Sequence, residues 1–147
     1  MKAGDGAPLL VSACLVGRRC RYDGRRAPSL EAMEQIEGLT WLAVCPEQLG
    51  GLPTPRPPVR LEGGDGRAVL VGRARAVNSE GRDVTACFIR GAEIVLDLAG
   101  RLNVRTVLLK DRSPSCGLDA ARVLGVTAAL LLEAGLEVVE VRTRASE

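Results

Sequence analysis

The chain has 147 residues and a formal net charge of +2, too slight a balance to argue for a nucleic-acid partner or an anionic membrane surface. It contains no histidine, which removes every Ser-His-Asp and Cys-His mechanism and every histidine-bearing metal site. Its aromatic residues are Tyr22, Trp41 and Phe88 alone, too few for a base-stacking platform.

From the amino terminus, residues 8–13 (PLLVSA) carry a short buried strand. An arginine-rich loop follows, with Arg18, Arg19, Arg21, Arg25 and Arg26. Guanidinium forks match carboxylates and phosphates, so this loop is either a solvated surface or an anion-facing rim. Pro28-Ser29-Leu30-Glu31 reads as a helix start, and Gly38 as its end. Residues 41–45 (WLAVC) form a second apolar strand. The segment GGLPTPRPP, residues 50–58, holds four prolines and two glycines and excludes regular structure. Val59-Arg60-Leu61 and Val69-Leu70-Val71 flank Gly63-Gly64-Asp65-Gly66, which reads as a hairpin with a glycine-rich turn.

Asp83 is placed to cap a helix that runs to about Leu102, with Val84, Phe88, Ala92, Val95 and Ala99 recurring on one face. Residues 104–109 (VRTVLL) are a third core strand, and KDRSPSCG, residues 110–117, is a loop. A last helix is expected from Asp119 to Ala134, stopped by Gly135, and residues 136–141 make a fourth strand. Apolar strands alternating with helices predict a single α/β domain over residues 1–147. Its sheet is mostly parallel, Rossmann-like and covered by helices, with a small β-hairpin added.

No run of about 18 apolar residues is present, so no membrane span is expected. The apolar run after Met1-Lys2-Ala3-Gly4-Asp5-Gly6 is too short for a secretory signal, which points to the cytoplasm. Thiols stay reduced there, and five cysteines fit no disulfide framework. In a parallel sheet the ligand crevice lies outside the carboxyl ends of the strands. Cys14 follows the first strand, Cys45 ends the second and Cys116 lies in the loop after the third. Independent core cysteines would have no reason to gather after strands, so metal binding or thiol catalysis is indicated. Cys87 stands beside Phe88 on a helix and reads as core. Glu47, two residues past Cys45, is a candidate general base. Ser113 and Ser115 are placed to donate hydrogen bonds near Cys116.

The segments SACLVG, CRYDG, CPEQLGGLPTPRPP, GGDG, GRDVTACFIRGA, LLK and SPSCG occur in that order between Val11 and Gly135. Together they resemble the thiouracil desulfurase family of small iron–sulfur proteins. The resemblance implies a [4Fe–4S] cluster held by Cys14, Cys45 and Cys116, with Cys20 and Cys87 outside the ligand set. It also implies catalytic help from Glu47 and Ser113. The implied reaction is a non-redox replacement of sulfur by oxygen on a thiolated base such as 2-thiouracil, a small-molecule substrate, with Glu47 deprotonating the attacking water. After SPSCG the family usually carries a longer segment with a Tyr-Asp-Gly motif. Here Gly117 passes directly to Leu118-Asp119-Ala120-Ala121-Arg122. Two other readings suit the cysteines. One is a closed, non-catalytic site of Cys14, Cys20, Cys45 and Cys116 for zinc or a capped cluster. The other is a sulfur carrier working through a persulfide.

Overall fold

A computed structural model describes residues 6–119 and 123–143. The first strand, β1 (Leu9–Ser12), is four buried residues without polar alternation, the pattern of a strand covered on both faces. A single 3-10 turn (Ala13–Val16) follows. Helix α1 (Leu30–Ile36) starts at Ser29, whose hydroxyl accepts the Ala32 N–H at 3.1 Å. Strand β2 (Trp41–Val44) leads into α2 (Pro46–Leu49), one turn with proline at its first position. Next come β3 (Val59–Glu62), α3 (Gly66–Leu70) and β4 (Arg75–Asn78). The long helix α4 (Thr85–Arg101) buries Phe88, Ala92, Val95 and Ala99 on its predicted face. Asp83 stands one residue before the cap position, which Val84 takes without a side-chain cap bond; its carboxylate accepts the Thr85 N–H at 2.9 Å across the helix start. Strand β5 (Thr106–Lys110) is followed by the two-residue strands β6 (Leu118–Asp119) and β7 (Val123–Leu124). Helix α5 (Val126–Glu133) and strand β8 (Glu137–Val141) end the described chain.

The main sheet has the order β2-β1-β5-β8, and every pairing in it is parallel. Leu10, Val107 and Leu109 face a core shared with Val95, Ala99, Ala128 and Leu131 of α4 and α5. Leu9, Val11 and Leu108 face the opposite core, built with Leu15, Ala32 and Ile36. The chain leaves β1 for β2 on one side and later crosses to β5 on the other. The carboxyl ends of β1 and β5 therefore flank the crevice where open α/β sheets bind ligands.

Two expectations need correction. The hairpin pairs β3 with β4, not with residues 69–71. Asp65 caps α3 instead of turning the chain back: its carboxylate accepts the Ala68 N–H at 3.1 Å, and the helical turn buries Val69. The last helix begins at Val126, not Asp119. Leu118 and Asp119 pair antiparallel with Leu124 and Val123, and the helix waits for Gly125. The expected helical residues 120–122 lie outside the described residues.

Backbone-to-backbone contacts fix where the loops sit. A methyl group added at Gly91 of α4 would lie 2.0 Å from the Pro46 carbonyl oxygen, and one at Gly50 would lie 2.0 Å from that of Cys87. Only glycine at both positions lets α2 seat directly on α4. One at Gly125 would lie 2.3 Å from the Ser115 carbonyl carbon, and one at Gly66 would lie 2.2 Å from the Gly125 carbonyl oxygen. Glycine in a helix interior ordinarily costs about 0.5–1 kcal/mol relative to alanine. At Gly91 the sign reverses, because the added carbon meets rigid backbone. Gly91→Ala is expected to destabilise the protein by about 1–3 kcal/mol, measured as the shift in urea midpoint. A neutral or stabilising result would show that α2 is not seated through this contact.

Candidate functional site

Cys14, Cys45 and Cys116 reach one cavity of about 190 Å³ at the carboxyl edge of the sheet. Cys14 sits in the 3-10 turn after β1, Cys45 at the residue that starts α2, and Cys116 in the loop after β5. The site straddles the sheet edge: Cys116 belongs to the core under α4 and α5, Cys14 and Cys45 to the opposite core. Cys20 also lines the cavity, whereas Cys87 is half-buried on α4 and does not. The Cys45 thiol points at the Cys20 carbonyl oxygen at 3.8 Å.

The thiols perturb one another. Hydrogen bonding with Cys14, aided by burial, pushes the Cys20 thiol up to about 12, against an opposing contribution from Cys45. Hydrogen bonding with Cys20 and burial raise Cys45 well above the ordinary thiol range. Burial pushes Cys116 up to about 11, opposed by hydrogen bonds from Ser12 and Ser115. Burial and the gathering of several sulfurs disfavour bare thiolates, and a cationic centre would hold them.

The donor set fits an iron–sulfur cluster. It is thiolate-rich and free of imidazole, the soft ligand class that such clusters select. Among the described residues, no three His, Cys, Asp or Glu side chains form a group able to hold one metal ion. A polynuclear cluster offers each thiolate its own iron, and the Cys20 thiol lies within hydrogen-bonding range of those of Cys14 and Cys45.

Glu47 stands beside these thiols on α2 and is almost fully buried. Each of its oxygens has one fixed partner. Oε1 accepts the Arg56 Nε–H at 2.9 Å, in an ion pair whose side chains are 3% and 10% exposed for Arg56 and Glu47. Oε2 accepts the Ser115 hydroxyl at 3.0 Å. Ser113 makes no hydrogen bond to Glu47 among the described residues. Its Oγ accepts the backbone N–H groups of Ser115 and Cys116 at 3.2 and 3.0 Å and lies 3.0 Å from the Ser115 Oγ. With two lone pairs so used, the Ser113 hydrogen is left to point at Ser115, and Ser115 donates onward to Glu47. The hydroxyls form a directed chain that ends on the carboxylate.

The same loop is braced from behind. The Val126 and Ala128 N–H groups in the first turn of α5 donate to the Pro114 and Ser115 carbonyls at 2.9 and 3.1 Å. Ser12 Oγ accepts the Lys110 N–H at 3.0 Å and ties the end of β1 to that of β5. Lys110 and Arg112 line the cavity, and from the arginine-rich loop Arg21 joins them, paired with Asp23 at 3.0 Å. Arg18, Arg19, Arg25 and Arg26 are exposed. The sequence reading missed Arg56. Its signal is a lone charge inside a proline-rich segment, nine residues beyond the carboxylate it holds.

A model of the 2-thiouracil desulfurase family matches residues 9–142. The chain is 40% identical over 141 residues to the uncharacterized protein YbbK of Bacillus subtilis (strain 168), covering 89% of this chain and 93% of YbbK. Among solved structures it is similar to the [4Fe-4S]-dependent thiouracil desulfidase TudS, with a TM-score of 0.72 and 39% identity. That likeness covers 90% of this chain and 89% of the TudS chain. The match begins at the first core strand and runs through the last, and the chain belongs to the 2-thiouracil desulfurase family.

Proposed function

We propose that this chain removes sulfur from a thiolated nucleobase such as 2-thiouracil and replaces it with oxygen, releasing the oxo base and sulfide without net redox change. The proposed ligands of its [4Fe–4S] cluster are Cys14, Cys45 and Cys116. The cluster dependence of TudS supports this, as does the thiolate-rich, imidazole-free lining of the cavity. The observation that carries the reading is the meeting of three thiols with one buried, doubly hydrogen-bonded carboxylate in a single cavity. The free state of all five cysteines supports a reducing, cytoplasmic setting.

When bound, the cluster supplies a thiophilic Lewis acid with one position not taken by protein. The protein supplies the proton chemistry. Glu47 is the proposed general base, taking a proton from the water that delivers oxygen to the thiocarbonyl carbon. A carboxylate oxygen has two lone pairs, so each Glu47 oxygen keeps one beyond its bond to Arg56 or Ser115. Ser113 acts on this base through Ser115. The hydroxyl chain holds the carboxylate plane.

A closed four-thiolate site draws on the presence of Cys20 in the cavity wall and on its hydrogen bonding with Cys14 and Cys45. Substitution separates the two readings. Single Cys14→Ser, Cys45→Ser and Cys116→Ser variants are each expected to lose the brown chromophore and the bound iron after anaerobic reconstitution. Cys20→Ala and Cys87→Ser are expected to match the parent in iron and sulfide content. Loss of the chromophore from Cys20→Ala would favour the closed site, and a colourless parent would remove the cluster altogether.

Glu47→Gln keeps the side-chain shape and removes the base. Its iron content and visible spectrum should match the parent, while sulfide release from 2-thiouracil falls by about 10²–10⁴-fold. An unchanged rate would assign water activation to another group.

A further inference from the structure

Arg56 is the most completely buried cation in the ion pairs of the described residues, and nothing in the reaction sketched above uses it directly. A buried guanidinium is costly unless it is paired and its N–H groups find acceptors. Here Nε donates to Glu47 Oε1 at 2.9 Å. Nη1 donates to the Pro53 carbonyl at 3.1 Å and to Thr54 Oγ1 at 2.9 Å. Nη2 donates to the Cys20 carbonyl at 2.9 Å. The Arg56 backbone N–H donates to the Tyr22 carbonyl at 2.7 Å, clamping the same two segments a second time.

Four donors of the side chain are thus engaged, and three of their acceptors are neutral atoms on the scaffold. Those three fix the plane of the guanidinium without help from Glu47. The Nε edge is left as a preset seat, and the carboxylate that occupies it is the one beside the thiols. The reverse dependence is weaker: Glu47 rides on the single turn of α2, and among the described residues its carboxylate holds one other bond, from Ser115.

We propose that Arg56 is a positioning residue for desulfuration, aiming the Glu47 carboxylate at the attacking water through a guanidinium held by the Cys20 loop and residues 53–54. The inference rests on Glu47 being the base. It assigns to Arg56 a task that charge alone does not perform. Lysine would keep the positive charge, but its single nitrogen cannot span Glu47, Thr54 and the Cys20 carbonyl in one plane.

The test is a double-mutant cycle on the reconstituted protein with 2-thiouracil, comparing the parent, Arg56→Lys, Glu47→Gln and the double variant. Iron content, visible spectrum, KM and kcat are read for each. Arg56→Lys should keep the cluster and the KM while kcat falls by about 10²-fold, the scale on which small misplacements act. In the Glu47→Gln background the same substitution should cause no further fall, because groups acting as a unit are not additive. A full second loss in that background would overturn the inference while leaving the base assignment intact. So would parent kcat in Arg56→Lys, or loss of iron from it. Parent activity in Glu47→Gln would instead sink the base assignment, and the role of Arg56 with it.

Discussion

The site depends on one constraint: three parallel strands must end at the same edge of one sheet. The register of β1 with β2 runs Leu9 to Trp41 through Ser12 to Val44, so Cys14 and Cys45 leave their strands almost level. The register of β1 with β5 brings Leu10 beside Val107 and Val11 beside Leu108, which carries the 110–117 loop to the same edge. A slip of one residue would turn every strand side chain to the other face. Both faces are buried, so that slip would exchange the two cores, and their different packing partners forbid it. The hydrophobic effect that selects the register thereby selects the sheet edge at which the three cysteines meet.

Electrostatics adds a second layer. The cavity collects groups that water would otherwise solvate: a carboxylate, a guanidinium and several thiols. The ion pair of Glu47 and Arg56 answers part of this cost by local neutralisation and a dense set of hydrogen bonds. Such a buried pair is poor evidence of stability, since well-packed apolar residues often do as well. Its presence beside the thiols is better understood as fixing an orientation. The serine chain works in the same direction from the opposite oxygen, so the carboxylate plane is set from two sides by two different loops.

Much of this was legible in the sequence, and the reasons differ by element. The core strands announce themselves as short apolar runs, and Phe88, Ala92, Val95 and Ala99 carry a helical period that no turn signal interrupts. The family segments single out Cys14, Cys45, Cys116 and Glu47, the proposed site residues, through neighbours that stand close to each in the chain. What failed was local competition. Gly63-Gly64-Asp65-Gly66 satisfies a turn pattern and a helix-cap pattern equally, and the burial of Val69 decided for the helix. The start of α5 was misjudged because Asp119 resembles a cap, whereas the backbone there pairs with Leu124 and Val123. Arg56 and the difference between Ser113 and Ser115 were out of reach, because both are set by contacts between segments. Nothing within SPSCG says which hydroxyl faces a carboxylate 68 positions away.

The stack of Gly66 on Gly125 and of Gly125 on Ser115 makes the hairpin more than an appendage. Side chains at an interface can change rotamer and take up a displacement, but main chain pressed on main chain has no such slack. The hairpin, α5 and the serine loop are mechanically in series, two contacts deep and without a spring between them. The seat of the serine loop therefore depends in part on the hairpin, where Gly66 must stay bare for the stack to close.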